Sequence, residues 1–249
     1  MPKVRADQLL VDKGLASSRA QARVLIMAGL ILADGRLVEK AGQTLDPQAD
    51  LALKVQASVF VSRGGLKLEG ALEDFNLDVS GMKALDIGAS TGGFTDCLLK
   101  RGAAEVVAVD VGRGLLDWRL RQDSRVKVLE RTNARYLTSG QVGKDFDLVV
   151  IDVSFISLAL ILPAVENLVR PESLVLALVK PQFEVGPEKV GRGGVVRDPR
   201  LQAEAVAAVS VKAGELGFEV LNQAPSRRKG PKGNQEHFLL LRKTGLKPN

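Results

Sequence analysis

The stretch from Lys83 to Phe94, Lys-Ala-Leu-Asp-Ile-Gly-Ala-Ser-Thr-Gly-Gly-Phe, limits the folds open to this chain of 249 residues. An apolar run, Ala84 to Ile87, carries Asp86 near its end and breaks at Gly88. Gly92 and Gly93 follow, before a helix-compatible run from Phe94 to Leu99. A buried parallel strand that turns tightly into a helix beside a ligand has this form, because glycine tolerates left-handed dihedrals and has no Cβ in the way. Glycine spacing alone also fits an ordinary strand-to-helix loop. An acid shifts the balance. Asp110 lies 22 residues beyond Gly88 and ends a second apolar run, Val106 to Val109. A carboxylate there can accept the hydroxyls of a ribose.

The loop lacks the Gly-Lys-Ser/Thr ending of a triphosphate-binding loop, so phosphate cradling fits it poorly. A sulfonium nucleoside, S-adenosylmethionine, needs a ribose acceptor and close backbone approach but no phosphate donors. It is the expected cofactor, with a dinucleotide as the alternative.

From Lys83 onward strands and helices alternate, which predicts an α/β fold with a parallel sheet covered on both faces. Strands are expected at 83–87, 105–109, 126–129, 147–151 and 173–179, with 218–222 and 236–242 finishing the sheet. Helices are expected near 92–101, 114–121, 158–169 and 199–216. Ligands in such sheets sit at the carboxyl ends of strands. Gly88, Asp110, Asn133, Asp152 and Lys180 each stand at or just beyond a separate strand end, so all five are expected in one crevice. An Asp facing a Lys beside a cofactor suits proton handling. The glycine-rich, charged loop from Lys180 through Gly194 is long enough to act as a substrate lid.

The first 55 or so residues read as a unit of their own. Arg5 to Lys13 is a short amphipathic pattern ended by Gly14, and Ser17 or Ser18 can cap a second helix from Arg19 to about Ala28. Arg19 and Arg23, four apart, project from one face. Leu30 to Leu32 meets Asp34-Gly35, a hairpin turn signal, and Arg36 to Val38 returns. The expected domains are 1–60 and 61–249, with residues 56–65 as a linker made flexible by Ser62-Arg63-Gly64-Gly65. A helix from Leu66 to about Phe75 should then carry Lys67 in its first turn, where a cation opposes the helix dipole.

Composition adds the partner. Hydrophobic content of 45% with 26% charged residues describes a globular protein, and 35 Lys+Arg against 29 Asp+Glu leaves +6. Residues 221–249 hold seven basic residues (Arg227, Arg228, Lys229, Lys232, Arg242, Lys243, Lys247) against Glu236 alone, which equals the whole excess. Such a concentrated charge suits nucleic acid, although Lys247 reads as part of a solvated tail. Cys97 is the only cysteine and reads as a buried core residue, and the only histidine, His237, as a structural strand residue. No apolar run approaches the roughly 18 residues of a membrane span and no leader is visible, so a cytoplasmic protein is expected.

Two resemblances join these readings. Arg5-x-Asp7-x-Leu9-Leu10, then Gly14-Leu15-Ala16-Ser17-Ser18-Arg19-x-x-Ala22, then Gly29 before a strand and Asp-Gly, is similar to the S4 RNA-binding domain. That similarity implies that Arg5, Arg19 and Arg23 face RNA phosphates. The second resemblance, to the TlyA family, begins with Ser62-Arg63-Gly64-Gly65-Leu66-Lys67-Leu68 and Asp86-Ile87-Gly88-Ala89-Ser90-Thr91-Gly92-Gly93-Phe94. It continues through Glu130 to Arg135, Asp152-Val153-Ser154-Phe155-Ile156-Ser157, Val179 to Gly186, and Gly230 to Glu236. It covers essentially the whole chain.

The family pairs an S4 domain with an FtsJ-like methyltransferase domain and methylates the ribose 2′-hydroxyl of a cytidine in ribosomal RNA. The fold implied is a Rossmann-like methyltransferase dependent on S-adenosylmethionine, preceded by a small S4-type α+β domain. The family's Lys-Asp-Lys-Glu catalytic set falls on Lys67, Asp152, Lys180 and Glu236. The cofactor residues implied are Asp86, Gly88, Ser90, Gly92, Gly93, Phe94, Asp110 and Asn133. Some members carry extra terminal segments and also modify small-subunit RNA. This chain ends soon after its last expected strand, which leans towards 23S rather than 16S RNA.

The chemistry asks for few parts. The methyl on a sulfonium is already activated, so the protein must align a ribose oxygen with it and remove a proton. No metal is implied. The competing readings are a non-catalytic RNA-binding or ribosome-assembly factor and a haemolysin, a label sometimes attached to this family.

Overall fold

A computed structural model describes residues 3–53 and 59–245. Residues 56–58 of the expected linker, and Lys247, lie outside the described residues. The chain divides into two compact units, residues 1–63 and 64–249.

In the first unit the strand Val4–Arg5 pairs antiparallel with Thr44–Leu45, and helices Ala6–Asp12 and Arg19–Met27 follow it. Ser18 starts the second helix: its hydroxyl accepts from the Gln21 amide at 3.2 Å. Asp34 and Gly35 both take left-handed dihedrals (φ 50° and 75°), which a tight hairpin turn requires, and they join Ile31–Ala33 to Arg36–Leu37. Leu51–Leu53 pairs with the other side of Ile31–Ala33 to make three strands. Leu9, Leu10, Ala22, Ile26, Ile31 and Val38 close a small core of their own.

The second unit holds a seven-stranded sheet. Its spatial order is Phe218–Pro225, His237–Lys243, Val169–Val179, Phe146–Ile151, Lys83–Ile87, Glu105–Val109 and Val126–Leu129. The last five run parallel to one another, and His237–Lys243 is antiparallel to both of its neighbours. Lys83–Ile87 has a strand on either side, so the loop after it opens within the carboxyl edge of the parallel strands rather than at the sheet's rim. Phe146, Val149, Ile151, Leu162, Val175 and Leu239 belong to a core that covers one face, with helix Pro199–Glu215 supplying Ala205, Val206 and Val209. Cys97 lies in the core, and burial pushes its thiol up to about 12, which fits an inert packing residue.

The departures from the expected elements have local causes. The helix expected at 66–75 runs Arg63–Asp74 and takes up both glycines assigned to the linker. Lys67 therefore stands in its second turn rather than its first, where the dipole penalty has faded. The helix expected at 114–121 is Trp118–Gln122, because the Asp117 carboxylate caps the Arg119 amide (2.9 Å) and sets a later start. The helix expected at 158–169 is a short 3₁₀ turn, Leu158–Leu160, followed by Leu162–Glu166. Pro163 has no N–H to carry a continuous helix across that point. The strand expected at 173–179 starts at Val169, with a register shift between Val169 and Leu174.

Candidate active site

Three parallel strands end side by side at Gly88, Asp152 and Lys180. The Asp152 amide donates to the Ile87 carbonyl (2.9 Å), so the first two ends stay zipped for one residue beyond the strands. A Cβ on Gly88 (φ 87°) would overlap the Asp152 carbonyl, and only glycine allows this approach. Around these ends lies a cleft of about 390 Å³. Gly88, Ser90, Asp110, Asn133 and Asp152 line it, and Phe155 stands on its wall.

Asp110 is organised for its place. Its two carboxylate oxygens accept from the Ser90 amide (2.8 Å) and the Gly112 amide (2.6 Å). Each oxygen keeps a further lone pair, so the aimed carboxylate can still accept a ligand hydroxyl. Asn133 is held by its own turn, its side-chain oxygen accepting from the Arg135 amide at 3.0 Å.

Asp86, Gly92, Gly93 and Phe94 do not line the cleft. They sit under the loop and shape it. Asp86 is fully buried and accepts from the Thr95 hydroxyl at 2.6 Å, with its second oxygen unpartnered. Burial pushes its carboxyl up to about 7. Gly92 (φ 94°) precedes helix Gly93–Lys100, pressed against Leu116 and Leu120, and Phe94 stacks on Phe238 with ring centroids 6.2 Å apart.

The four expected catalytic residues form two ion pairs at the same edge. Lys180 Nζ lies 2.5 Å from Asp152 Oδ1 and donates to the Ser154 hydroxyl at 2.9 Å. The contact with Asp152 is close but poorly aligned, so it is Coulombic and leaves Oδ1 without a directed hydrogen bond. Lys67 Nζ donates to Glu236 Oε2 at 2.5 Å, with Glu236 fully buried and its Oε1 unpartnered. In the antiparallel pairing Val179 faces His237, so Lys180 and Glu236 follow at adjoining positions of neighbouring strands. Asp152 Oδ1 has only the Lys180 ammonium beside it, and Glu236 Oε1 is buried with no hydrogen-bond donor.

Sequence reasoning gave no role to Ser154 and Phe155. Ser154 could have been found by counting register, since it stands opposite Lys180 once two parallel strands are aligned. Phe155 is 89% exposed with a left-handed backbone (φ 66°), and it packs on Phe183 with centroids 5.1 Å apart. Glu184 ties the same two loops, accepting from the Ser157 hydroxyl (2.6 Å) and the Leu158 amide (2.9 Å).

In the first unit Arg5, Arg19 and Arg23 come together on one buried carboxylate, Asp7, at 3.0, 3.0 and 3.2 Å. The Arg5 hydrogen bond, with those of Arg19 and Arg23, holds the Asp7 carboxyl far below the usual range despite its burial. Each arginine side chain remains about half exposed.

A glycine loop leading from the central strand into a helix, an acid at the next strand end and a lysine–aspartate pair together define the class of nucleoside-cofactor methyltransferases. Residues 60–243 match the FtsJ-like methyltransferase family and residues 4–51 the S4 domain. The chain belongs to the TlyA family, in which those two domains are joined. It is 52% identical over 241 residues to the 16S/23S rRNA (cytidine-2′-O)-methyltransferase TlyA of Mycobacterium tuberculosis, spanning 96% of this chain and 90% of that protein. A solved structure named as a hemolysin from Streptococcus thermophilus is 45% identical, with a TM-score of 0.76 over 98% of this chain and 90% of the other. An S-adenosylmethionine-dependent methyltransferase from Listeria monocytogenes shares the fold at 13% identity, with a TM-score of 0.55 over 72% of this chain and 98% of that one.

The raised carboxyl of Asp86 sets a pH dependence. In the unfolded chain it ionises near its ordinary value of 3.8, whereas the native state keeps its proton to about 7. Between those values the unfolded state binds fewer protons, so this group lowers stability as pH rises, and its contribution levels off above about 7. Asp86→Asn should therefore gain on the parent between about pH 5 and pH 8 by on the order of a few kcal/mol, measured by denaturant unfolding. A parent–variant difference that stays flat across this window would refute the assignment.

Proposed function

We propose that this protein transfers a methyl group from S-adenosylmethionine to the 2′-hydroxyl of a cytidine ribose in ribosomal RNA. The observation that carries the reading is the pairing of Lys180 with Asp152 beside the cleft, with a second pair from Lys67 on helix Arg63–Asp74 and Glu236 just before the neighbouring strand. The target named for the M. tuberculosis relative, and an S4 domain with three clustered arginines, support RNA as the substrate. The domain division that we adopt is 1–60 for RNA binding and 61–249 for transfer, acting in the cytoplasm where ribosomes are.

The cleft fits the cofactor by the chemistry of its donors and acceptors. Gly88 lines the space while packing on the Asp152 backbone, Asp110 offers carboxylate oxygens to a ribose, and Asn133 and Ser90 border the same space. When bound, S-adenosylmethionine supplies an activated methyl group. The protein's own task is to hold the ribose hydroxyl in line and remove its proton. Lys180 is the residue that takes the proton or polarises the oxygen, and Asp152 and Ser154 hold its amine in place. Glu236, whose Oε2 accepts from Lys67, is the carboxylate assigned to orienting the hydroxyl.

Incubation with labelled cofactor and separated ribosomal subunits tests the reading, with label on large-subunit RNA at a cytidine 2′-oxygen expected. Label on small-subunit RNA would revise the target. RNA retention without label would favour an assembly factor. The hemolysin name of the S. thermophilus structure gives a further arm, release of haemoglobin from erythrocytes. Among the described residues no helix is long and apolar enough to cross a membrane.

Lys180→Arg keeps the charge but cannot deprotonate. If Lys180 is the base, this variant binds cofactor and RNA normally and transfers methyl at least roughly a hundredfold more slowly. Near-normal turnover would leave Lys180 a purely electrostatic part. Asp110→Ala should weaken S-adenosylmethionine binding in calorimetry while the fold persists, and unchanged affinity would remove Asp110 from the ribose site. Replacing Arg19 and Arg23 by Ala should lower RNA affinity and flatten its dependence on salt, because fewer counterions are released. Cofactor affinity should not change. RNA binding that is unaffected at moderate salt would return that face to solvent.

A further inference from the structure

Glu236 owes its place to a turn whose only regular element is the short 3₁₀ turn Pro231–Gly233. The segment from Ser226 to Glu236 leaves one strand and returns as the next, closed at its base by the Ser226 amide on the Glu236 carbonyl (2.7 Å). Gln235 adds a side-chain bond to the Ser226 carbonyl at 3.0 Å. At the tip Lys232 takes a left-handed backbone (φ 58°). A Cβ on Gly230 would overlap Glu236 Oε1, so the carboxylate lies directly against the turn's backbone. Any shift of this turn moves the carboxylate.

Asn234 fastens the turn to the core, while Lys232 Nζ donates to the Gly193 carbonyl (2.8 Å) and Arg227 pairs with Glu73 and Asp74 nearer the surface. Asn234 is 3% exposed, and its amide is fully used by a segment 38 to 40 residues earlier in the chain. Its Oδ1 accepts from the Val196 amide at 3.0 Å and its Nδ2 donates to the Gly194 carbonyl at 2.9 Å. The opposite orientation of the amide would set donor against donor and acceptor against acceptor, so the two bonds fix it. Val196 is 2% exposed within the main core cluster, which makes it a firm anchor. The Asn234 carbonyl in turn accepts from the Gly230 amide (2.9 Å), the residue that Glu236 rests on.

We propose that Asn234 is the positioning residue for Glu236, transmitting the rigidity of the Gly194–Val196 segment to the carboxylate that faces Lys67. The proposal rests on the reading of Glu236 as an active-site group. Asn234 touches neither cofactor nor substrate in this scheme and acts only through the turn.

The test uses the full chain with Asn234→Ala, Asn234→Asp, Glu236→Gln and the double variant Asn234→Ala/Glu236→Gln. Asn234→Asp keeps the acceptor for Val196 but sets an oxygen against the Gly194 carbonyl. In both Asn234 variants, amide hydrogen exchange across 226–236 should quicken at least roughly tenfold, the scale of losing buried hydrogen bonds, while the central strands exchange as in the parent. Methyl transfer at saturating cofactor and ribosomal subunit should fall by roughly tenfold or more, with KM for S-adenosylmethionine held within about twofold. In the Glu236→Gln background, Asn234→Ala should add nothing, because both changes remove the same contribution. Unchanged exchange in 226–236 would overturn the fastening, and additive losses in the double variant would overturn action through Glu236. Full activity of Glu236→Gln alone would instead overturn the catalytic reading of Glu236, and the exchange results on Asn234 would still decide the fastening.

Discussion

Taking a carboxylate and an ammonium out of water together is the constraint around which the larger unit is built. Each ion loses several kcal/mol of hydration when it is buried, and only a close partner with further hydrogen bonds offsets this. Lys67 with Glu236 and Lys180 with Asp152 meet that condition at one sheet edge. Removing one partner of such a pair costs about 3–5 kcal/mol, because the other is left charged and alone. The pairs are therefore poor ornaments for a merely stable fold. They make sense where a fixed charge is wanted beside a reacting oxygen, already desolvated before the substrate arrives.

The sheet order supplies the convergence. Residues from helix Arg63–Asp74 and from turns near 88, 152, 180 and 236 are far apart in the chain but adjoin at the edge. The antiparallel strand His237–Lys243 is what brings Glu236 to this edge, since its start lies where the parallel strands end. A parallel strand in that slot would have delivered its carboxyl end instead. Arg227 reinforces the arrangement from outside, reaching Glu73 and Asp74 at 2.6 Å each and so tying the helix that carries Lys67 to the turn that carries Glu236.

Much of this was legible in the chain. The runs at 83–87, 105–109 and 126–129 matched their strands end for end. The first two are interior strands, whose burial on both faces leaves a largely apolar signature, whereas the third is a partly exposed edge strand. Of the five residues expected in one crevice by the rule that ligands sit at strand ends, Gly88, Asp110, Asn133 and Asp152 line it, whereas Lys180 does not and reaches it only through its pairing with Asp152. Phe94 and Gly92 were not separable from cleft residues in sequence, since a motif does not reveal which of its members face inward. Asp7 was hidden for another reason. Read alone it is a helix-start acid, and only the fold brings Arg19 and Arg23 back across it. Asn234 and Val196 meet across 38 residues that include a helix and a strand, a separation that no local pattern encodes.

The buried Asp7 changes what its three arginines are as a binding surface. A free arginine side chain carries about 2 kcal/mol of rotamer entropy, most of which is lost when it grips a phosphate. Here part of that loss is taken during folding, since one edge of each guanidinium is already held. A guanidinium has five donors in a fixed fork, so donors remain for a phosphate oxygen in a direction set by the plane of the group. The cluster also keeps a constant charge of two over the whole range in which cells live, because its one acid never takes up a proton there. It amounts to a stamp rather than a brush: its spacing is set in advance, so it favours polyanions whose phosphates already match that spacing.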